Sequence, residues 1–181
     1  INIEVKSSFI KKPGTLITKR TNLNNNRIIT GISLTHNDAK VTLVGVKDRP
    51  GVAASIFKPL SINSINVDMV VQNISPNGKE TDLTFTNKEE DINKTKKIIQ
   101  ENKKINFKKV LFQKGVSKIS IIGVGMITTP GVTFRMFQAL ANKNINIQVI
   151  STSEIKISVL INKKDAKKAL ATLHKEFKLQ E

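Results

Sequence analysis

The sequence contains two copies of one pattern about 80 residues apart, and this repeat constrains the fold more than any other feature. The first copy has a short apolar run at 41–46 followed closely by Pro-Gly-Val, and the second has the same features from 119–124 onward. Between 50–70 and 130–150 the copies stay in register, and seven of these 21 positions are identical. A repeat of this length predicts two copies of one supersecondary unit.

Each copy has the predicted element order β-α-β-β-α. Short apolar or alternating runs predict strands, and apolar residues at intervals of three and four predict amphipathic helices. The first copy gives strands at 41–46, 67–71 and 81–86, helices from 52 and over 88–102, and a Ser-Pro-Asn-Gly turn at 75–78. The second copy gives strands at 118–124, 147–151 and 155–161, and helices at 132–142 and 163–177. The predicted class is therefore α+β.

Two further apolar segments, 27–35 and 110–113, flank the first copy without an evident partner inside it. The simplest arrangement nests the first module within the second, with 27–35 adding a strand to the second sheet. This predicts a first module at 40–109 and a second module made of 27–39 plus 110–181.

The composition excludes several classes of protein. Cysteine is absent, which excludes disulfides and thiolate metal sites. No apolar stretch is long enough to span a bilayer, and the first residues do not resemble a secretory leader, so we expect a cytoplasmic protein without a membrane partner. The net charge of +16 suggests nucleic-acid binding, but the lysines are scattered among Asn and Ile, and the aromatic residues are all Phe. We therefore expect no nucleic-acid partner.

Residues suited to catalysis are few. His36, in a predicted turn, and His174, in the last predicted helix, have no Cys, Asp or second His at the spacing of a metal site or catalytic triad. No phosphate-binding GxxxxGK[ST] motif occurs, and Gly123-Val124-Gly125 only begins a GxGxxG pattern. No pair of carboxylates is placed for acid–base chemistry. The sequence predicts neither a catalytic residue nor a metal site.

The segment Asp48-Arg49-Pro50-Gly51-Val52 lies between the end of a predicted strand and the start of a helix. Backbone N–H groups at a helix start can hold a carboxylate, and Asp48 offers a counter-charge for an ammonium, so the segment suits a zwitterion. The alternative is a plain loop in which Asp48 caps the helix. In the second copy Thr128 replaces Asp48 and supplies no such charge.

The strand that follows the first helix carries the polar residues Asn66, Asp68 and Gln72 within an apolar run. These side chains are suited to hydrogen-bond a ligand, or else they face solvent at a sheet edge.

Longer motifs resemble one family. Asp-Arg-Pro-Gly-Val-Ala at 48–53 and Ile-Asn-Val-Asp-Met-Val-Val-Gln-Asn at 65–73 resemble the first ACT module of aspartate kinases, and Ile-Ser-Thr-Ser-Glu-Ile at 150–155 resembles the second. The resemblance implies two ferredoxin-like βαββαβ ACT modules. It implies effector-binding residues at Asp48, Arg49, Pro50, Gly51, Val52, Ala53, Asn66, Val67, Asp68 and Gln72, and a related site at Thr133, Phe134, Ile147, Gln148, Glu154 and Ile155. Phe134 is larger than the residue expected there.

The resemblance also implies a function. It predicts a regulatory region that binds L-threonine, L-lysine or both, pairs as a homodimer through its ACT modules, and inhibits aspartate phosphorylation by an attached kinase domain in lysine, threonine and methionine synthesis. Residues 1–26 resemble the end of that kinase domain; its Lys-Phe-Gly-Gly-Thr-Ser signature is absent, so ATP and Mg would bind outside this chain, which itself needs no cofactor. The alternatives are an ACT module of another biosynthetic enzyme and a ferredoxin-like RNA-binding module.

Overall fold

A computed structural model describes residues 3–10, 12–17, 27–74 and 78–179 of the 181. Most of the predicted turn at 75–78 lies outside the described residues. Within them the chain forms eight strands and four helices, which are β1 Ile3–Val5, β2 Thr15–Ile17, β3 Gly31–Lys47, α1 Val52–Ile62, β4 Val67–Ile74, β5 Glu80–Lys88, α2 Ile92–Glu101, β6 Lys109–Ile122, α3 Val132–Ala141, β7 Ile147–Ser153, β8 Lys156–Asn162 and α4 Ala166–Glu176. None of these helices combines the length and the apolar character needed to cross a bilayer.

Strands β3 and β6 are long, and each contributes one half to each module. The main sheet is antiparallel with the strand order β4-β5-β3-β6-β8-β7. Residues 31–35 of β3 pair with 118–122 of β6, whereas 40–44 pair with 109–113. Each half of the sheet therefore has four strands and two helices in the order βαββαβ, with the first module nested in the second. The predicted fold class is confirmed.

Two details of the prediction are wrong. Residues 110–113 were predicted to belong to the second module, but they pair with 40–43 and complete the first. The chain also does not turn at His36; it continues through a β-bulge between Thr35 and Lys40. Asn37, with φ 60°, and Gly115, with φ 70°, allow both strands to pass this irregularity without reversing, because these residue types adopt positive φ most readily.

Each module has its own apolar core between its helices and one face of its sheet. Ile56 and Leu60 of α1 are fully buried, and so are their repeat equivalents Met136 and Leu140 of α3. These residues pack against alternate residues of the adjacent strands, including Val41 in the first core and Ile119 in the second. The sequence repeat therefore corresponds to a repeat of packing, in which each buried aliphatic side chain contributes about 1.5–3 kcal/mol.

The sheet curls so that its two halves face each other on the side away from the helices. Met69 of β4 packs with Val116 of β6 and Leu160 of β8, and Val149 of β7 lies against this cluster. In strand order β4 is four positions from β8. A flat sheet would separate these side chains by roughly 20 Å, because neighbouring strands lie about 4.8 Å apart. The curl gives two sheet halves with helices outside and a small shared core between them.

Candidate functional site

Both modules begin their first helix in the same strained way. The residues before α1 and α3 are Gly51, with φ 85°, and Gly131, with φ 87°. This left-handed conformation favours glycine, which explains the repeated Pro-Gly. Neither helix has a side-chain cap, so the alternative in which Asp48 caps α1 is wrong. Pro50 precedes the helix rather than occupying its first turn. The first-turn N–H groups have no partner within the helix and remain available to an anion.

Asp48 lies half-buried beside the start of α1. Its backbone N–H donates to the Lys79 carbonyl at 3.0 Å, and the guanidinium of Arg49 donates to the Lys104 carbonyl at 3.5 Å. These bonds fix the loop against its neighbours. Among the described residues, the Asp48 carboxylate itself has no hydrogen bond or ion pair. The loop therefore presents a carboxylate near a helix start, as a zwitterion site requires.

The other residues predicted for the first site do not all gather around this loop. Helix α1 runs back along the sheet, so β4 starts at the end of the module opposite Gly51. Gln72 lies five residues further along β4, or about 16 Å, near the Gly51 end. Asn66 and Val67 line a separate cavity of about 350 Å³ near the end of α1. Asp48–Ala53 and Gln72 thus belong to one end of the module, and Asn66, Val67 and Asp68 to the other.

The second module has a cavity of about 640 Å³ beside the start of α3. Thr133 and Glu154, both predicted site residues, line it together with Gly131 and Ser153. The cavity combines a helix start with the carboxylate of Glu154 on the β7–β8 hairpin. Thr128 lies outside this lining, and its hydroxyl is 3.5 Å from the Gly125 carbonyl. A charge from the hairpin therefore replaces the one that the loop lacks, an exchange that a comparison of the two loops alone misses.

Four predicted residues of the second site lie outside this cavity's lining. Phe134 and Ile155 are exposed on the surface near it. Ile147 and Gln148 lie at the start of β7, which is the opposite end of the module. The division matches the first module, in which the start of β4 is likewise distant from the helix start.

Two predicted ligand-binding side chains are engaged across the curl. Asp68 of β4 forms an ion pair with Lys118 of β6, and the Gln148 carbonyl oxygen of β7 accepts a hydrogen bond from Lys40 of β3 at 2.7 Å. Neither lysine was predicted as part of a site. The available signal was a polar residue at an alternate position in an otherwise apolar strand, which reads equally well as a solvent-facing residue.

Gly123 and Gly125 have a packing role that accounts for the incomplete GxGxxG pattern. A Cβ on Gly123 would lie 2.1 Å from the Ile28 carbonyl oxygen, and one on Gly125 would lie 2.6 Å from the Ile28 Cα. The chain leading into β3 therefore crosses directly over this loop, and only glycine permits the approach. No dinucleotide is needed to explain the pattern.

Comparisons with known proteins agree with this architecture. The family model of the ACT domain matches residues 41–102 and 119–177. The regulatory subunit of aspartate kinase from Thermus thermophilus, solved in its ligand-free form, is 34% identical, with a TM-score of 0.75 over 83% of this chain and 99% of the subunit. The chain belongs to the aspartate kinase regulatory regions of the ACT domain family. Its two modules are ACT modules.

Longer relatives place these modules within larger chains. Aspartate kinase of Pseudomonas fluorescens (strain SBW25) is 44% identical over 99% of this chain but only 44% of the relative. The chain thus spans less than half the length of that relative. Escherichia coli aspartokinase III, solved in complex with lysine and aspartate, has a TM-score of 0.72 at 22% identity, a likeness of fold alone.

Proposed function

We propose that this chain is the allosteric effector-binding region of an aspartate kinase and that its effectors are L-threonine, L-lysine or both. The observation that carries the proposal is the pairing of a helix start with a carboxylate in each ACT module, Asp48 in the first and Glu154 in the second. The helix start suits the α-carboxylate of an amino acid, and the side-chain carboxylate suits its α-ammonium. E. coli aspartokinase III, which shares the fold, was solved with lysine.

We further propose that two chains complete the sites by pairing edge to edge. The edge strands β4 and β7 each have one free side in the described chain. Their repeat-equivalent residues Val70 and Ile150 are 46% and 43% exposed, although both are apolar. Antiparallel pairing of β4 with β7 of a second copy would place Gln72 and the Asp48 loop beside the start of β7. The same pairing would place Asn66 and Val67 beside the cavity that holds Glu154.

Such a dimer would regulate the attached kinase through differential affinity. An effector at the junction of two chains shifts the enzyme only as far as it binds one dimer arrangement better than another, typically about 1–3 kcal/mol. Phosphorylation of aspartate, the kinase domain, and the ATP and Mg that it uses belong to the longer protein and are part of this proposal.

Val70→Lys is expected to weaken dimerisation at least about tenfold, because it places an unpaired charge in an apolar strand-to-strand contact. Sedimentation velocity across a concentration series measures the change. Ile62→Lys is the matched control, since Ile62 is also apolar and exposed but lies at the end of α1. Equal dimerisation of the two variants would contradict the proposed interface.

Isothermal titration calorimetry tests the ligand. We expect threonine or lysine to bind the purified chain, and the other common amino acids to bind at least about tenfold more weakly. Titration with both effectors together shows whether they bind separate ends of the interface. Absence of binding by every amino acid would contradict an effector-binding role.

The chain alone is expected to form no aspartyl phosphate from ATP and aspartate, because it contains neither a phosphate-binding loop nor a carboxylate pair. A coupled ADP-release assay on homogeneous protein measures this. Turnover that persists through successive purification steps would contradict the purely regulatory role.

A further inference from the structure

The two contacts across the curl are related by the sequence repeat. Lys40 and Lys118 occupy equivalent positions, each one residue before the apolar run of its module, and Asp68 and Gln148 are equivalent positions 80 residues apart. Lys118 of the second module contacts Asp68 of the first, and Lys40 of the first contacts Gln148 of the second. The chain therefore makes the same cross-module contact twice, in a pseudo-two-fold arrangement.

The two contacts differ in charge. The Lys118 side chain is only 12% exposed and is paired with a carboxylate. Lys40 is half-buried, and its partner is the neutral amide of Gln148. Burial lowers the pKa of the Lys40 amine from its ordinary value. The first contact is an ion pair, whereas the second lacks the negative charge that its equivalent has.

We propose that Lys40 and Lys118 are positioning residues that hold the start of each edge strand against the opposite module, and thereby link the two effector-facing edges of one chain. Asp68 and Gln148 lie beside Val67 and Ile147, on the strands at which the proposed effector sites form. A ligand that displaces one edge strand must therefore strain a contact with the other module. The linkage between edges rests on the proposed function; the paired contacts do not.

A ligand-free double-mutant cycle tests the contacts. Lys118→Met and Asp68→Asn should each lower the melting temperature by about 2–4 °C, and the double variant should lower it no further than the larger single change. Hydrogen exchange should increase in β4 of the first module when Lys118 of the second is replaced. Lys109→Met is the control, since Lys109 is an exposed lysine on the same strand. Additive losses, or equal exchange in the control, would overturn the proposal.

Gln148→Glu provides a gain-of-contact test at the second position. Supplying the missing negative charge should raise the melting temperature by about 2–4 °C and raise the pKa of Lys40, observed by NMR at its Cε. In a Lys40→Met background the same change should give no gain. A gain that persists without Lys40 would overturn the assignment of this contact.

The linkage is tested with threonine and lysine as probes. In the wild-type chain, binding of one probe should change the affinity for the other, and Lys118→Met should reduce that change at least about threefold while each probe still binds alone. An unchanged linkage in Lys118→Met would overturn the coupling role. Failure of the wild-type chain to bind either probe would instead contradict the proposed function, and the ligand-free cycle would still decide the contacts.

Discussion

Replacing Asp48 with alanine is expected to weaken effector binding at the first module about ten- to a hundredfold. The carboxylate lies beside the start of α1 and has no other hydrogen-bond or ion-pair partner among the described residues. An effector ammonium placed there would lose its counter-charge within a partly desolvated interface. Loss of such a charge-assisted hydrogen bond costs about 1.5–3 kcal/mol, which corresponds to that change in affinity. Calorimetric titration of wild-type and variant protein measures it.

Thr128→Ala is the matched control for this change, since Thr128 is the repeat equivalent of Asp48 and is exposed. We expect it to alter affinity by less than about threefold. Glu154→Gln should instead weaken binding at the second module, because Glu154 lines the cavity at the start of α3. Equal losses in Asp48→Ala and Thr128→Ala, or tight effector binding by a monomer, would contradict the proposed site.

The sequence predicted the two modules well because the same residues that mark the repeat also form the cores. Leu60 and Leu140, 80 residues apart, are both fully buried on the first helix of their module. Such periodic apolar positions determine secondary structure and local packing together. The leftover segments were harder, because residues 110–113 find their partners in the half of β3 that precedes the repeat's own Pro-Gly.

The geometry of the site was less predictable. The family motif places Asp48, Asn66 and Gln72 in one list, but a helix and strand that run in opposite directions separate them to two ends of a module. The contacts across the curl join residues 50 and 108 positions apart. No local pattern distinguishes such a buried polar contact from a solvent-facing side chain, so only the tertiary structure reveals Lys40 and Lys118.

The nested topology itself makes a large effect expected at Gly123. The chain entering β3 passes so close to this loop that a Cβ on Gly123 would lie 2.1 Å from the Ile28 carbonyl oxygen and 2.7 Å from the Ile29 Cα. Both neighbours are backbone atoms, which cannot rotate away as a flexible side chain can. Gly123→Ala should therefore displace the segment that leads into the fourth strand of the second module.

We expect Gly123→Ala to destabilise the chain by about 3 kcal/mol and to lower its melting temperature by about 6–12 °C, measured by circular dichroism. Gly31→Ala is the matched control, because Gly31 begins the same β3 strand, has no atom within 4 Å of an added Cβ and does not adopt a positive φ. The control should stay within about 2 °C of the wild type. If both variants melt together, the crossing of 28–29 over the loop does not stabilise the fold, and the nested arrangement loses its principal packing contact.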